Sequence, residues 1–300
     1  MSGLFSADIV ANTVIMVRTV DRTSSALIIE GDKDIRIFKK FYDPRKCRLY
    51  AAGNRTHAER ALAILLAAKQ PGVLAVVDAD TDHLLGKAST EPNLIVTHTR
   101  DSECMLLSAP ILRHLLIEFD LSADAFGNDP ERSAIQAAAV LGYARFVINN
   151  KRWRVRLNEI DFSRFIDSGN LSCNITALCN HLATLGVSSG ITAAELETEL
   201  NVLIAQKHDP FKVARGHDVS SMLAWAIVTR SGKKRKDGAD IESFTIESYL
   251  RAVYTEAEFA LTELFMKIDE WERRNEPFKV LLRFRGQDLG IPPAGGTRCK

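Results

Sequence analysis

The chain has 300 residues, 46% hydrophobic and 26% charged, the balance of a globular protein with enough apolar material for one large domain or two ordinary ones. Lys and Arg number 39 against 38 Asp and Glu, a net charge of +1, so attraction to a polyanion has to come from local patches. The longest purely apolar run, residues 61–68, is far short of the roughly 20 residues of a membrane helix. The amino terminus lacks a basic region, apolar stretch and small-residue cleavage site, so a cytoplasmic location without membrane attachment is expected.

The five cysteines (Cys47, Cys104, Cys173, Cys179 and Cys299) are odd in number and contain no CxxC pair, which argues against a disulfide framework or a zinc ribbon. Cys173, Cys179 and His181 have no fourth ligand nearby and read as core and loop. No GxxxxGK[ST] occurs, which excludes an intrinsic P-loop ATPase.

In chain order, residues 7–20 predict a first helix, and 25–29 a buried strand stopping at Glu30-Gly31. Helical spacing follows over 34–42, ended by Pro44, and then a strand over 47–52 closed by Gly53-Asn54. An alanine-rich helix over 56–69 is stopped by Pro71-Gly72. Strands over 73–77 and 93–97 run into Asp78 and into a polar loop at 98–101. Strands separated by helices of this length imply crossovers and a mainly parallel sheet, hence an α/β fold. After about residue 125 the pattern turns helical: 130–149, 193–206, 218–229 and, longest, 246–274. Between them, 151–161 reads as a short strand pair and 232–240 as a basic loop. The expected organisation is a catalytic domain over 1–125, including the first helix, and a mainly helical domain over 126–300 for substrate or partner binding.

The residues that carry chemistry are two acidic motifs at strand ends, Glu30-Gly31-Asp32-Lys33-Asp34 and Asp78-Ala79-Asp80-Thr81-Asp82. Their first acids are 48 residues apart, room for the intervening helix, strand and helix, so a parallel sheet brings both to its carboxyl edge, where open sheets bind ligands. Crowded carboxylates repel, and a hard divalent cation with oxygen ligands, such as Mg²⁺, relieves the repulsion.

An apolar strand ending in EGxxD (Glu30, Gly31, Asp34), followed by helix, strand, helix and a strand ending in DxDxD (Asp78, Asp80, Asp82), is similar to the TOPRIM fold of topoisomerases, primases and OLD-type nucleases. The stretch 97–103 (THTRDSE) and Gly216-His217-Asp218 more narrowly resemble the TOPRIM-containing DUF4435 family, which includes the effector subunit of the PARIS phage-defence system. The resemblance implies a Mg²⁺- (or Mn²⁺-) dependent nuclease, a toxic effector of anti-phage defence that cleaves DNA or RNA, tRNA included, and works beside an ABC-type ATPase. Carried onto this sequence, Glu30 is the general acid/base or first metal ligand. Asp78 and Asp80 hold a divalent ion, Asp34 and Asp82 ligate a second ion or orient waters, and Glu103 approaches the same edge. OLD-type nucleases also use a downstream basic residue; Lys87 is a candidate without an unambiguous match.

Two other classes compete: a non-catalytic regulatory or assembly subunit whose acidic motifs serve the fold, and a haloacid dehalogenase-like phosphatase with Asp78 as nucleophile and Asp80 as acid/base. The second gives Glu30 no job. A functional Gly216-His217-Asp218 competes with Asp218 simply capping the following helix. The densest basic stretches, Arg152, Arg154 and Arg156 (with Trp153 interleaved) and Lys233, Lys234 and Arg235, are the candidate nucleic-acid contacts, against the plainer reading of a solvated strand face and loop. Self-association as a dimer, or docking on a partner, is expected through the helical half. There Ala252, Phe259 and Met266 recur every seventh residue off the core stripe of a continuous 246–271 helix.

Overall fold

The computed structural model describes residues 6–187, 190–232 and 241–282. Four strands, β1 (Ser25–Ile29), β2 (Cys47–Ala51), β3 (Val73–Val77) and β4 (Leu94–Val96), form one all-parallel sheet in the order β2-β1-β3-β4. All five residues of β1 and of β3 are buried, as the uninterrupted apolar runs require of central strands covered on both faces.

Successive side chains alternate between two cores. Ala26, Ile28, Val73, Ala75 and Val77 pack with α1 (Ala7–Val20) and α3 (Arg55–Ala67). Leu27, Ile29, Leu74 and Val76 face the larger core built with the rest of the chain. The helix expected over 34–42 is α2 (Asp32–Phe38): it starts two residues earlier, with Asp34 in its first turn. Gly72 closes the turn into β3 at φ +63°, and a Cβ there would lie 2.2 Å from the Phe278 ring.

The connection after β3 contains the short α4 (Asp82–Leu85), and β4 is followed by α5 (Ser102–Leu106) and α6 (Leu112–Glu118). The helical half consists, within the described residues, of α7 (Pro130–Asn150), α8 (Ile175–Thr184), α9 (Ala193–Ala205), α10 (Gly216–Ser231), α11 (Ser243–Val253), α12 (Glu256–Ala260) and α13 (Glu263–Arg274). The halves expected to part near residue 125 share the larger core, and the chain's return binds them further. Asp43 donates its N–H to the Val280 carbonyl at 2.8 Å, Leu282 donates to the Phe41 carbonyl at 2.8 Å, and the Trp271 indole donates to Asn93 at 2.8 Å.

Two expectations are corrected. The stretch 151–161 forms no strand pair: it has a 3₁₀ turn at Leu157–Glu159 and one isolated bridge from Val155 to Gly186. The long helix over 246–274 is three helices, because Thr255 and Thr262 each cap a new start, Thr255 in a reciprocal capping box with Glu258. The breaks rotate the faces apart. Leu261, assigned to the core stripe, is 77% exposed, while Phe259, assigned to the outer face, is 2% exposed and stacks on Phe41 at 4.2 Å between centroids. No continuous second apolar face of Ala252, Phe259 and Met266 exists.

Candidate functional site

The strand order makes β1 and β3 neighbours, with β2 reached on one side and β4 on the other. The gap between the carboxyl ends of β1 and β3 is thus the switch point of the sheet, the place where open α/β sheets take ligands. Glu30 leaves β1 and Asp78 leaves β3 at this point. They are tied together: Asp78 donates its backbone N–H to Glu30 Oε2 at 3.2 Å. Two residues on, Asp80 adopts φ +50°, a left-handed conformation that aspartate tolerates better than most residues, and donates its N–H to the Arg100 carbonyl at 2.8 Å.

Helices bring the other acids. Asp34, in the first turn of α2, accepts from the Gly31 N–H at 3.2 Å and from the Ser102 hydroxyl at 2.5 Å. Asp101 caps α5 through the Cys104 N–H at 2.9 Å and, with its second oxygen, accepts from the Gly216 N–H at 2.8 Å. This carboxylate latches the start of α10 onto the sheet edge, and only glycine fits there: a Cβ on Gly216 would stand 2.3 Å from Glu103 Cβ and 2.6 Å from Asp101 Oδ1. Glu30, Asp34, Asp78, Asp80, Asp101 and Glu103 line one open cleft of about 440 Å³.

The electrostatics are those of negative charge without enough compensation. Burial raises Glu30 above the usual carboxylate range, with Asp80 and Asp34 adding to the rise. Asp34 is raised by burial, assisted by Asp101. Asp78 is raised far, by burial and then by Asp34, Asp101, Glu30 and Glu103. Glu103 is pushed up to about 8 by burial together with Asp101, Asp34 and Glu247. Partial desolvation raises Asp80 too, although Arg100 and Arg55 oppose it. Among the described residues no three Asp, Glu, His or Cys side chains are already drawn to ligand spacing, so an ion would have to pull them closer. The donor chemistry fits a hard cation: every candidate ligand is a carboxylate oxygen, and an ion of +2 would offset part of the charge of the set.

Lys33 and His217, which also line the cleft, meet a buried acid behind it. Glu247 of α11, 1% exposed, accepts from or pairs with His217 Nδ1 at 3.1 Å and Lys33 Nζ at 3.3 Å, with Arg251 at 3.7 Å. Burial works against its charge, but His217 and Lys33 hold it below the usual range. The Gly-His-Asp motif contains His217, and Lys33 and Asp101 lie inside the EGDKD and THTRDSE stretches without being singled out there; no motif points to Glu247, which lies 214 residues from Lys33 in the chain.

Other expected residues lie elsewhere. Asp82 stands in the first turn of α4, paired with Arg55 at 2.5 Å, and lines the neighbouring clefts instead of this one, as does Lys87. Asp218 is not a helix cap: it sits in the first turn of α10, 3% exposed, and accepts from Nε and Nη2 of Arg145 at 2.6 and 2.8 Å. Arg152, Arg154 and Arg156 are exposed and line no part of the acidic cleft; Arg156 pairs with Glu159 at 2.9 Å. Lys233, Lys234 and Arg235 lie outside the described residues. His181 accepts from the Asp161 N–H at 2.9 Å, and the four described cysteines are free. No described helix is long and apolar enough to cross a membrane. Neither a protein-family model nor a curated protein matches this sequence.

Proposed function

We propose that this chain is a Mg²⁺- or Mn²⁺-dependent nuclease of the TOPRIM type, a toxic effector that hydrolyses phosphodiester bonds in nucleic acid under the control of an ABC-type ATPase. One observation carries the reading: Glu30 and Asp78, from separate strands, meet at the switch point of a parallel sheet with Asp34, Asp80 and Glu103 in the same cleft. Glu30, Asp78 and Asp80 would hold the cation, with Asp34 and Glu103 within the same wall. Bound there, a divalent ion supplies an activated water and offsets charge developing on the leaving oxygen.

The chain's own residues set up the rest. Ser102 fixes one oxygen of Asp34, the Asp78 N–H fixes one oxygen of Glu30, and the Asp101 latch holds α10 so that His217 borders the acids. With Nδ1–H donated to the buried Glu247 carboxylate, the neutral His217 ring keeps Nε2 free of a proton, a group able to accept one from the attacking water. A phosphatase with Asp78 as nucleophile is the weaker reading. The cleft holds three further raised carboxylates, Glu30, Asp34 and Glu103, for which such an enzyme has no role, and burial together with the neighbouring carboxylates pushes Asp78 toward its unreactive protonated form.

The test is expression of wild type and Glu30→Gln, each with and without the partner ATPase, with recovery of cleaved nucleic acid. Toxicity and cleavage that vanish in Glu30→Gln support the nuclease; toxicity unchanged by the substitution would favour a non-catalytic assembly subunit.

A further inference from the structure

A second cleft, of about 480 Å³, lies on the opposite side of the loop 78–82, between the free edge of β4 and α13. Its size is that of ligand pockets in general. Two of its imidazoles have a ring nitrogen buried with no hydrogen-bond partner, Nε2 of His83 and Nδ1 of His98. A buried polar atom without a partner has given up its water and received nothing in exchange, so its persistence calls for something that completes it.

The charges of this cleft separate into satisfied and unsatisfied groups. Asp82 is paired with Arg55, Glu263 with Lys267 at 2.7 Å, and Glu270 with Arg274 at 3.8 Å. Glu91 accepts from the backbone and side-chain nitrogens of Asn93 at 2.9 and 3.0 Å. Three of the acids are thus ion-paired and Glu91 is hydrogen-bonded, its charge sharing the cleft with two cations, Lys212 and Lys87, that have no ion pair among the described residues. What lines the cleft beyond these engaged groups is two imidazole rings and two ammonium groups, a set that matches a phosphate. Burial holds both histidines below their usual range, so near neutral pH each is an uncharged ring with one N–H to donate, and the positive charge comes from the lysines.

The clefts adjoin one another. Asp80 borders both the acidic cleft and an intermediate one, and Asp82, Lys87 and Leu94 border both the intermediate cleft and this one. We infer that the cleft between β4 and α13 is a phosphate-binding subsite, in which His83, His98, Lys212 and Lys87 hold a flanking phosphate of the nucleic-acid strand whose reacting phosphate lies at the carboxylates. The inference rests on the nuclease reading for the identity of the strand. It answers the electrostatic difficulty of that reading, since cations at the acidic cleft neutralise only the reacting phosphate.

Two measurements on the full chain test it. The first titrates inorganic phosphate against wild type and Lys212→Glu while following histidine ring ¹⁵N signals. His83 and His98 should respond, and Lys212→Glu should abolish the response. The second measures binding of short single-stranded DNA and RNA in EDTA, where metal-dependent cleavage is silent, at two salt concentrations. Lys212→Glu and Lys87→Glu should each weaken binding by about tenfold and lower the salt slope by about one unit for each phosphate no longer neutralised. Histidine signals indifferent to phosphate, or oligonucleotide binding and salt slope unchanged in both variants, would overturn the inference. Retained metal-dependent stabilisation in the Lys variants, and cleavage lost in Glu30→Gln alone, report on the nuclease reading separately. That reading can stand while the subsite fails.

Discussion

The loop 78–82 divides two clefts of similar size and opposite character. On one side Glu30, Asp34, Asp78, Asp80 and Glu103 crowd together, raised by burial and then by neighbouring carboxylates; on the other, Asp82 is paired with Arg55 and the groups without a partner are lysines and neutral histidines. The left-handed turn at Asp80 lets one short segment serve both sides, with Asp78 on the acidic wall and Asp82 two residues past the turn on the other. The contrast teaches that an acidic motif is not one site merely because its residues are adjacent. DxDxD reads as a single cluster in the sequence, and the fold splits it.

The largest effects should come from the acidic side. Glu30→Gln or Asp78→Asn should lower metal-dependent cleavage by about 10²-fold or more, as loss of a metal-site carboxylate does, while leaving the melting temperature equal or higher because like-charge repulsion is relieved. Calorimetry of both variants beside a cleavage assay checks the two directions together. Next, Gly216→Ala drives a Cβ into Glu103 and Asp101 and should cost about 1–3 kcal/mol by denaturant unfolding, with loss of cleavage because α10 no longer seats His217.

The third effect is a pH dependence peculiar to the metal-free acidic cleft. With Glu103 at about 8 in the folded chain against an ordinary value of 4.5, the native state keeps a proton that the unfolded state releases between those pH values. Stability in EDTA therefore falls as pH rises through that window, and Glu103→Gln should flatten the fall. Thermal melts across it give the slope directly. The smallest effect belongs to the exposed stretch 152–156: Arg154→Glu, remote from both clefts, should change oligonucleotide binding less than Lys212→Glu does, in parallel fluorescence titrations.

Much of the sheet was legible because a strand buried on both faces has no polar face to obscure it. β1 and β3 are pure apolar runs that end on Glu30 and Asp78, and their spacing alone places those acids at one edge. The helical half was less legible at its joints. Helical periodicity over 246–274 survives two breaks, and only the Thr255–Glu258 box, a signal present in the sequence, marks the first of them. The acidic wall's supports were hidden for a different reason. Asp101 and Lys33 lie in motifs but act through partners distant in the chain, which the motifs do not reveal, and nothing local distinguishes Glu247 from an ordinary surface acid.

The central claim is that the clustered carboxylates form a divalent-cation site, and calorimetric titration of Mn²⁺ and Mg²⁺ into the full chain near neutral pH addresses it most directly. Saturable binding with release of protons from the raised carboxylates, a higher melting temperature with metal, and loss of both in Asp78→Asn are the results the geometry predicts. Wild type that binds neither ion, with a melting temperature indifferent to them, would contradict it.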